Sequence, residues 1–240
     1  MTMLSIIQDV CRRTGLSVPT SVADNTSQII VQLLALANEE GEELSSYNFK
    51  QLERRATFTS VATENQGALE DIAPDFDRLI GETFWDGSSY MYVGGPTGAQ
   101  EWEVRKVRNV TGPTYRFRLM LDPTTLKNSV MASPVPTAGH TMSFEYYSNY
   151  WCKTAAGEGK SDLTADDDVV LLPEKLFKLG VRWRWKKEKG LAYEEDFNSW
   201  EAMRDTLVSQ ADGTGAVSMS QSPDPVLIGA WNLPDGNYNQ

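Results

Sequence analysis

One histidine, two cysteines and no long apolar run set the first limits on this chain of 240 residues. The sole histidine, His140, follows Gly139 in a loop with no serine or cysteine motif around it, so neither a Ser-His-Asp nor a Cys-His site is indicated. It reads as a surface histidine. Cys11 sits on an apolar helical face beside Ile7 and Cys152 follows an aromatic strand, which suits two buried thiols better than a bridge. The same three residues lie too far apart in sequence to give the ligand spacing of a zinc site. No run of about 18 apolar residues is present to span a membrane, and the start MTMLSIIQDVCRRTG lacks the basic-then-apolar order of a signal peptide. The expectation is a product that stays in the cytoplasm where it is made and binds no membrane. Positive charge is also scarce: 22 Lys and Arg against 33 Asp and Glu leave a formal net charge of -11. That balance argues against a chain-wide footprint for nucleic acid and favours an acidic surface that repels DNA.

The remaining motifs carry no chemistry. Asp166, Asp167 and Asp168 lack the alternation and distal glutamate of a calcium loop, so they read as caps and solvated charge. GPTGAQ and GEGKS have turn composition without the spacing of a phosphate loop. No carboxylate pair stands out for glycoside cleavage, although sequence alone does not single out such pairs. The basic run Arg182, Arg184, Lys186, Lys187 and Lys189 is interleaved with Trp183 and Trp185. Spread around helical turns, it reads as a solvated face or as a charged contact with the acidic Glu39, Glu40, Glu42 and Glu43 of a neighbouring subunit. No catalytic residue, cofactor site or metal site is expected.

What the chain does have is helical periodicity at both ends. Thr2 caps a first helix with Met3, Ile6, Ile7, Val10 and Cys11 on one face and Gly15 as its stop. A second helix, from about Ser27 to Leu44, turns Ile30, Leu33, Leu34, Ala37 and Leu44 inward and its acidic cluster outward. Gly41 within it costs about 1 kcal/mol relative to alanine, which points to close packing or an early end. From Leu172 to Asp212 the pattern is a helical hairpin: Pro173 and Glu174 start one helix, Gly190 ends it, and Tyr193, Phe197, Trp200, Met203 and Leu207 line the next. Gly180 leaves room for the close approach of another backbone.

Between these ends the composition turns to short β-forming runs. RATFTSVA (55–62), 83–85, 90–93, 115–121 and 141–147 read as strands, with YRFRLM and TMSFEYY expected to pair. Pro74 with DFDRLI suggests one helical turn, Pro96 opens a short helix to about Val107, and Asp122–Gly139, with three prolines, reads as a contact loop. The fold class is α+β: a helical bundle from 1–54 and 163–212, an inserted β-rich region over 55–162, and an extended arm over 213–240. The arm is rich in Gly, Ser, Pro and Asn yet keeps Val226, Leu227, Ile228 and Trp231, apolar residues suited to binding a partner.

Six segments taken in order resemble the head-to-tail adaptor, or connector, proteins of tailed bacteriophages, and podovirus-like adaptors in particular. They are LLALANEEGEELS (33–45), RATFTSVA (55–62), PDFDRLIGETFWDG (74–87), GPTGAQEWEVRK (95–106), MSFEYYSNYW (142–151) and ADDDVVLLPEKLFKLGVRWRWKKEKGLAY (165–193). The resemblance implies a non-enzymatic virion protein of the neck, forming a twelve-fold ring between the portal protein and the tail nozzle or tail tube. DNA would pass through the lumen without sequence-specific binding, and the arm would match extensions that reach along the portal. The alternative reading is a virion-associated tail enzyme such as a cell-wall hydrolase.

Overall fold

Thr2 takes an extended backbone and its hydroxyl accepts from the Ser5 amide, which starts α1 (Met3–Thr14); Gly15, at φ 72°, ends it in the left-handed conformation that glycine adopts without strain. A computed structural model of the chain describes residues 1–211 apart from 110, 113 and 124. After α1 come α2 (Gln28–Ser45), β1 (Glu53–Thr59), β2 (Asn65–Ala68), α3 (Leu69–Ile72), β3 (Phe76–Leu79), β4 (Trp85–Asp86) and β5 (Met91–Tyr92). The chain continues through α4 (Ala99–Val107), β6 (Arg116–Leu121), β7 (Asn128–Ser133) and β8 (Thr141–Ser148). It closes with β9 (Cys152–Lys153), β10 (Gly159–Lys160), β11 (Val169–Val170), α5 (Glu174–Glu188) and α6 (Glu194–Ala211). This is the mixed α+β fold expected. The described residues divide into two units, 1–53 with 147–211 and 54–146.

In the helical unit, α1, α2, α5 and α6 bury one continuous core that includes Ile7, Leu33, Leu44, Trp151, Phe177, Val181 and Trp200. The small antiparallel sheet β10-β9-β11 belongs to this unit, and an isolated bridge from Thr2 to Val169 ties the start of α1 to it. Gly41 is where it is because Trp151 packs against it. A Cβ there would lie 2.3 Å from the indole ring, so only glycine lets α2 meet that side chain.

The β unit holds a five-stranded sheet in the order β1-β8-β4-β5, with β3 also on β8, and a three-stranded sheet in the order β2-β7-β6. Phe117 of β6 and Phe144 of β8 share one core with Phe84, whose ring centroid lies 4.7 Å from Phe117 and 5.6 Å from Phe144. Three expectations are corrected here. β6 and β8 do not pair; β6 runs antiparallel to β7 from Arg116 opposite Ser133 to Leu121 opposite Asn128. The segment expected to be a loop over Asp122–Gly139 therefore contains a strand. Its residues NSVMAS are mostly small or polar and only Val130 carries a strong β preference, but Val130 and Ala132 face the core and the nearest strand in sequence is the cheapest to pair. DFDRLI likewise forms strand β3 rather than a helical turn, because one turn is not stable alone and Phe76 gains ring contacts with Phe144 and Tyr146. The short helix from Pro96 forms as α4, with Trp102 buried.

Candidate functional site

The acidic cluster of α2 and the basic run of α5 meet within one chain. Glu40 falls in register with Leu33, Ala37 and Leu44 on the apolar stripe of α2, and it is fully buried. Arg184 Nε of α5 donates to Glu40 Oε2 at 2.8 Å, and Trp200 Nε1 of α6 donates to Glu40 Oε1 at 2.7 Å. Arg184 also pairs with Glu39, the residue before Glu40, and with Glu43, about one α-helical turn after it. Burial pushes the Glu40 carboxyl up to about 7, against the opposing pull of Arg184 and Trp200. Gly180 makes the room: a Cβ there would sit 1.9 Å from the Glu40 carboxylate, so the space expected to admit a backbone admits an acid.

This geometry corrects the expected subunit contact. Three carboxylates converge on one guanidinium inside the helical unit, while Arg182 and Lys186 pair with Asp196, a buried residue near the start of α6. Glu40 is not on an outward face, and Arg184 is not on a solvated one. Sequence reading missed the pair because charge was assigned to the surface by type. The available signal was position: Glu40 sits at the stripe's own spacing, and Gly180 lies one turn before Arg184.

His140, Asp166 and Asp168 act as structural ties. His140 Nδ1 lies 2.8 Å from Asp86 Oδ2 and 3.1 Å from Ser89 Oγ. Carboxylate and hydroxyl meet the same ring nitrogen, whereas a proton relay needs them on opposite nitrogens, so these three do not form a Ser-His-Asp triad. His140 is half-buried rather than a free surface residue. Burial alone would raise the Asp86 carboxyl, but hydrogen bonds from His140 and from the Ser89 and Ser88 amides outweigh it and hold it low. Asp166 accepts from the Val22 and Ala23 amides of a distant loop, and Asp168 from the Thr164 and Ala165 amides and from Lys160, so one ties two segments together and the other closes its own turn. Among the described residues no group of three or more His, Cys, Asp or Glu is placed to hold a metal ion. Cys11 and Cys152 are free and buried, and burial pushes the Cys152 thiol up to about 12, far from a reactive thiolate. No described helix is long and apolar enough to cross a membrane.

A sizeable concavity in the helical unit runs between α5 and α6. A cavity of about 460 Å³ lies beside Asp9 and Arg13 of α1, and one of about 740 Å³ continues toward Leu207 and Gln210 near the end of α6. They share Glu174, Lys175, Ser199 and Met203, so together they form one groove. Val226, Leu227, Ile228 and Trp231, expected to bind a partner, lie outside the described residues.

A family model described as SU10 adaptor protein matches residues 1–226, which makes this a bacteriophage adaptor of the head-to-tail connection. The chain belongs to the SU10 adaptor protein family. The match ends at the first of the four apolar arm residues. No curated protein matches the chain.

Proposed function

We propose that this adaptor forms a ring, twelve-fold by resemblance, that sits between the portal protein and the tail nozzle or tail tube and lets DNA pass through its lumen. The observation that carries the reading is the family match over residues 1–226, which includes both units. The net charge of -11 supports a passive channel, because affinity for DNA grows with the number of phosphates that Lys and Arg neutralise. In this reading the bundle of 1–54 and 163–212 and the inserted region of 55–162 form the ring body. The arm over 213–240 reaches the portal or a neighbouring subunit. Self-repulsion of so acidic a chain favours a monomer in solution that assembles on the portal, where a template presents its edge.

Quantitative mass spectrometry of purified virions tests the proposal. The expected result is the chain in the particle at the copy number of the portal protein, and absence from purified particles would sink it. A cell-wall zymogram of the purified protein separates this reading from the hydrolase alternative: clearance that is lost on replacing one Glu or Asp would favour the enzyme.

A further inference from the structure

The groove between α5 and α6 has the wrong surface for solvent. Leu179, Met203 and Leu207 are only partly covered along it, and its rim carries Arg13, Lys175, Lys178 and Arg182 against Asp9 and Glu174. Lys178 pairs with Asp9 and Glu174, but Lys175 makes no ion pair among the described residues and leaves the rim net positive. An occupant should therefore be apolar, extended and acidic.

The chain itself supplies such a segment. Beyond Ala211 there is no Lys or Arg, three acids stand at Asp212, Asp224 and Asp235, and Val226, Leu227, Ile228 and Trp231 form the one dense apolar cluster. We propose that the groove receives the Val226–Trp231 segment of a second copy of the chain, so that each arm fastens its neighbour; this rests on the ring reading above. Length permits a second copy. The groove follows α6 from Gln210 back to Ser199, about 17 Å at the α-helical rise. Fourteen residues, 212–225, precede Val226 and reach about 45 Å when extended. That spacer is far longer than a return to its own groove needs, which leaves the length to reach a second copy. An aromatic anchor on an apolar floor with charge complementarity at the rim is the usual composition of a strong contact.

The test uses full-length chains. One variant carries Met203→Cys and another Leu227→Cys; the two are mixed and assembled on portal-bearing heads, the particles are purified, and the protein is run without reductant after mild oxidation. A disulfide-linked dimer that needs both variants is the expected result. Adaptor present in particles without that dimer overturns the inference and leaves the ring reading intact, whereas adaptor absent from particles overturns both. The double variant in one chain gives dimers or longer chains if arms are exchanged; a cross-linked monomer overturns the exchange. A second measurement does not depend on assembly. A labelled peptide of residues 221–235 should bind the intact purified chain, with a tenfold or larger loss on Trp231→Ala in the peptide or Met203→Asp in the chain. No binding, or binding indifferent to both changes, overturns the groove as the receptor.

Discussion

Both units bury a carboxylate, and they satisfy it in different ways. In the helical unit Glu40 takes its hydrogen bonds from Arg184 and Trp200, which lie 144 and 160 residues away in sequence. In the β unit Asp86 takes two of its own from the Ser88 and Ser89 amides of the adjoining turn, with His140 as the distant partner. The first arrangement exists only when three helices are docked, so its acid reports on tertiary structure. The second is largely a turn, and its removal costs a turn. What packs the two sheets of the β unit together is the apolar ring cluster around Phe84, Phe117 and Phe144.

The largest expected effect therefore follows from Arg184→Met. It leaves Glu40 buried with no cation and Glu39 and Glu43 facing it, and removal of one member of a buried pair costs roughly 3–5 kcal/mol. Urea unfolding at pH 8, followed by the fluorescence of Trp151, Trp183, Trp185 and Trp200, reads the loss. The double variant Arg184→Met with Glu40→Met should recover most of it, because two apolar side chains need no partners. No recovery would mean that the arginine acts mainly through packing. In the β unit the counterpart is Phe144→Ala, expected to cost roughly 3–4 kcal/mol through lost burial and the cavity left behind. Hydrogen exchange of the β6 and β8 amides should report the loss; unchanged protection would show that the aromatic cluster is dispensable.

A pH series sharpens the contrast. The folded chain holds the Glu40 proton up to about pH 7, whereas the ordinary value of 4.5 applies once the helices separate. Between those values the folded state binds more protons, so the stability from this group is full below pH 4.5 and is lost as pH rises through about 7. The change is on the order of 3 kcal/mol, with Glu39, Glu43 and Arg184 as the charges facing the group. Glu40→Gln should flatten the stability profile over that window, while Asp86→Asn should not. A profile unaltered by Glu40→Gln would place the titration elsewhere.

These same residues mark how far the sequence could be read. Helix ends were readable because each has a local cause: Thr2 and Gly15 for α1, Pro173 and Gly190 for α5. Gly41 declared a close contact, though not that Trp151 would fill it. The strands were readable by composition where they are aromatic, as in β6 and β8. β7 is not aromatic, and its pairing rests on which strand lies nearest, a property of the folded chain. Glu40 was misread because a charged type outweighed an apolar position, and its partners are not local. The groove was out of reach altogether, since a concavity between α5 and α6 depends on how two helices cross.

The smallest expected effect also separates the units. Among the described residues, the helical unit places its positive backbone angles on glycine, at Gly15, Gly157 and Gly190. Every non-glycine residue with a positive angle, namely Glu82, Tyr90, Asn109 and Leu126, lies in the β unit. Leu126 is the least suited of these by side chain. It stands at φ 56° between β6 and β7 with 73 % of its surface exposed, its amide donating to the Asp122 carbonyl at 2.8 Å. A left-handed leucine costs about 1–2 kcal/mol in backbone sterics, and so exposed a side chain recovers little through burial. Leu126→Gly should remove that strain while freeing the unfolded chain by about 0.5–1 kcal/mol. The net expectation is a gain of up to about 1 kcal/mol, or a rise of about 2–4 °C in Tm for a chain of this size. Leu126→Ala keeps the angle and should give no gain. If Leu126→Gly instead lowers Tm by several degrees, the leucine side chain supports the hairpin through packing, and strain in the β unit is not concentrated where the backbone angles place it.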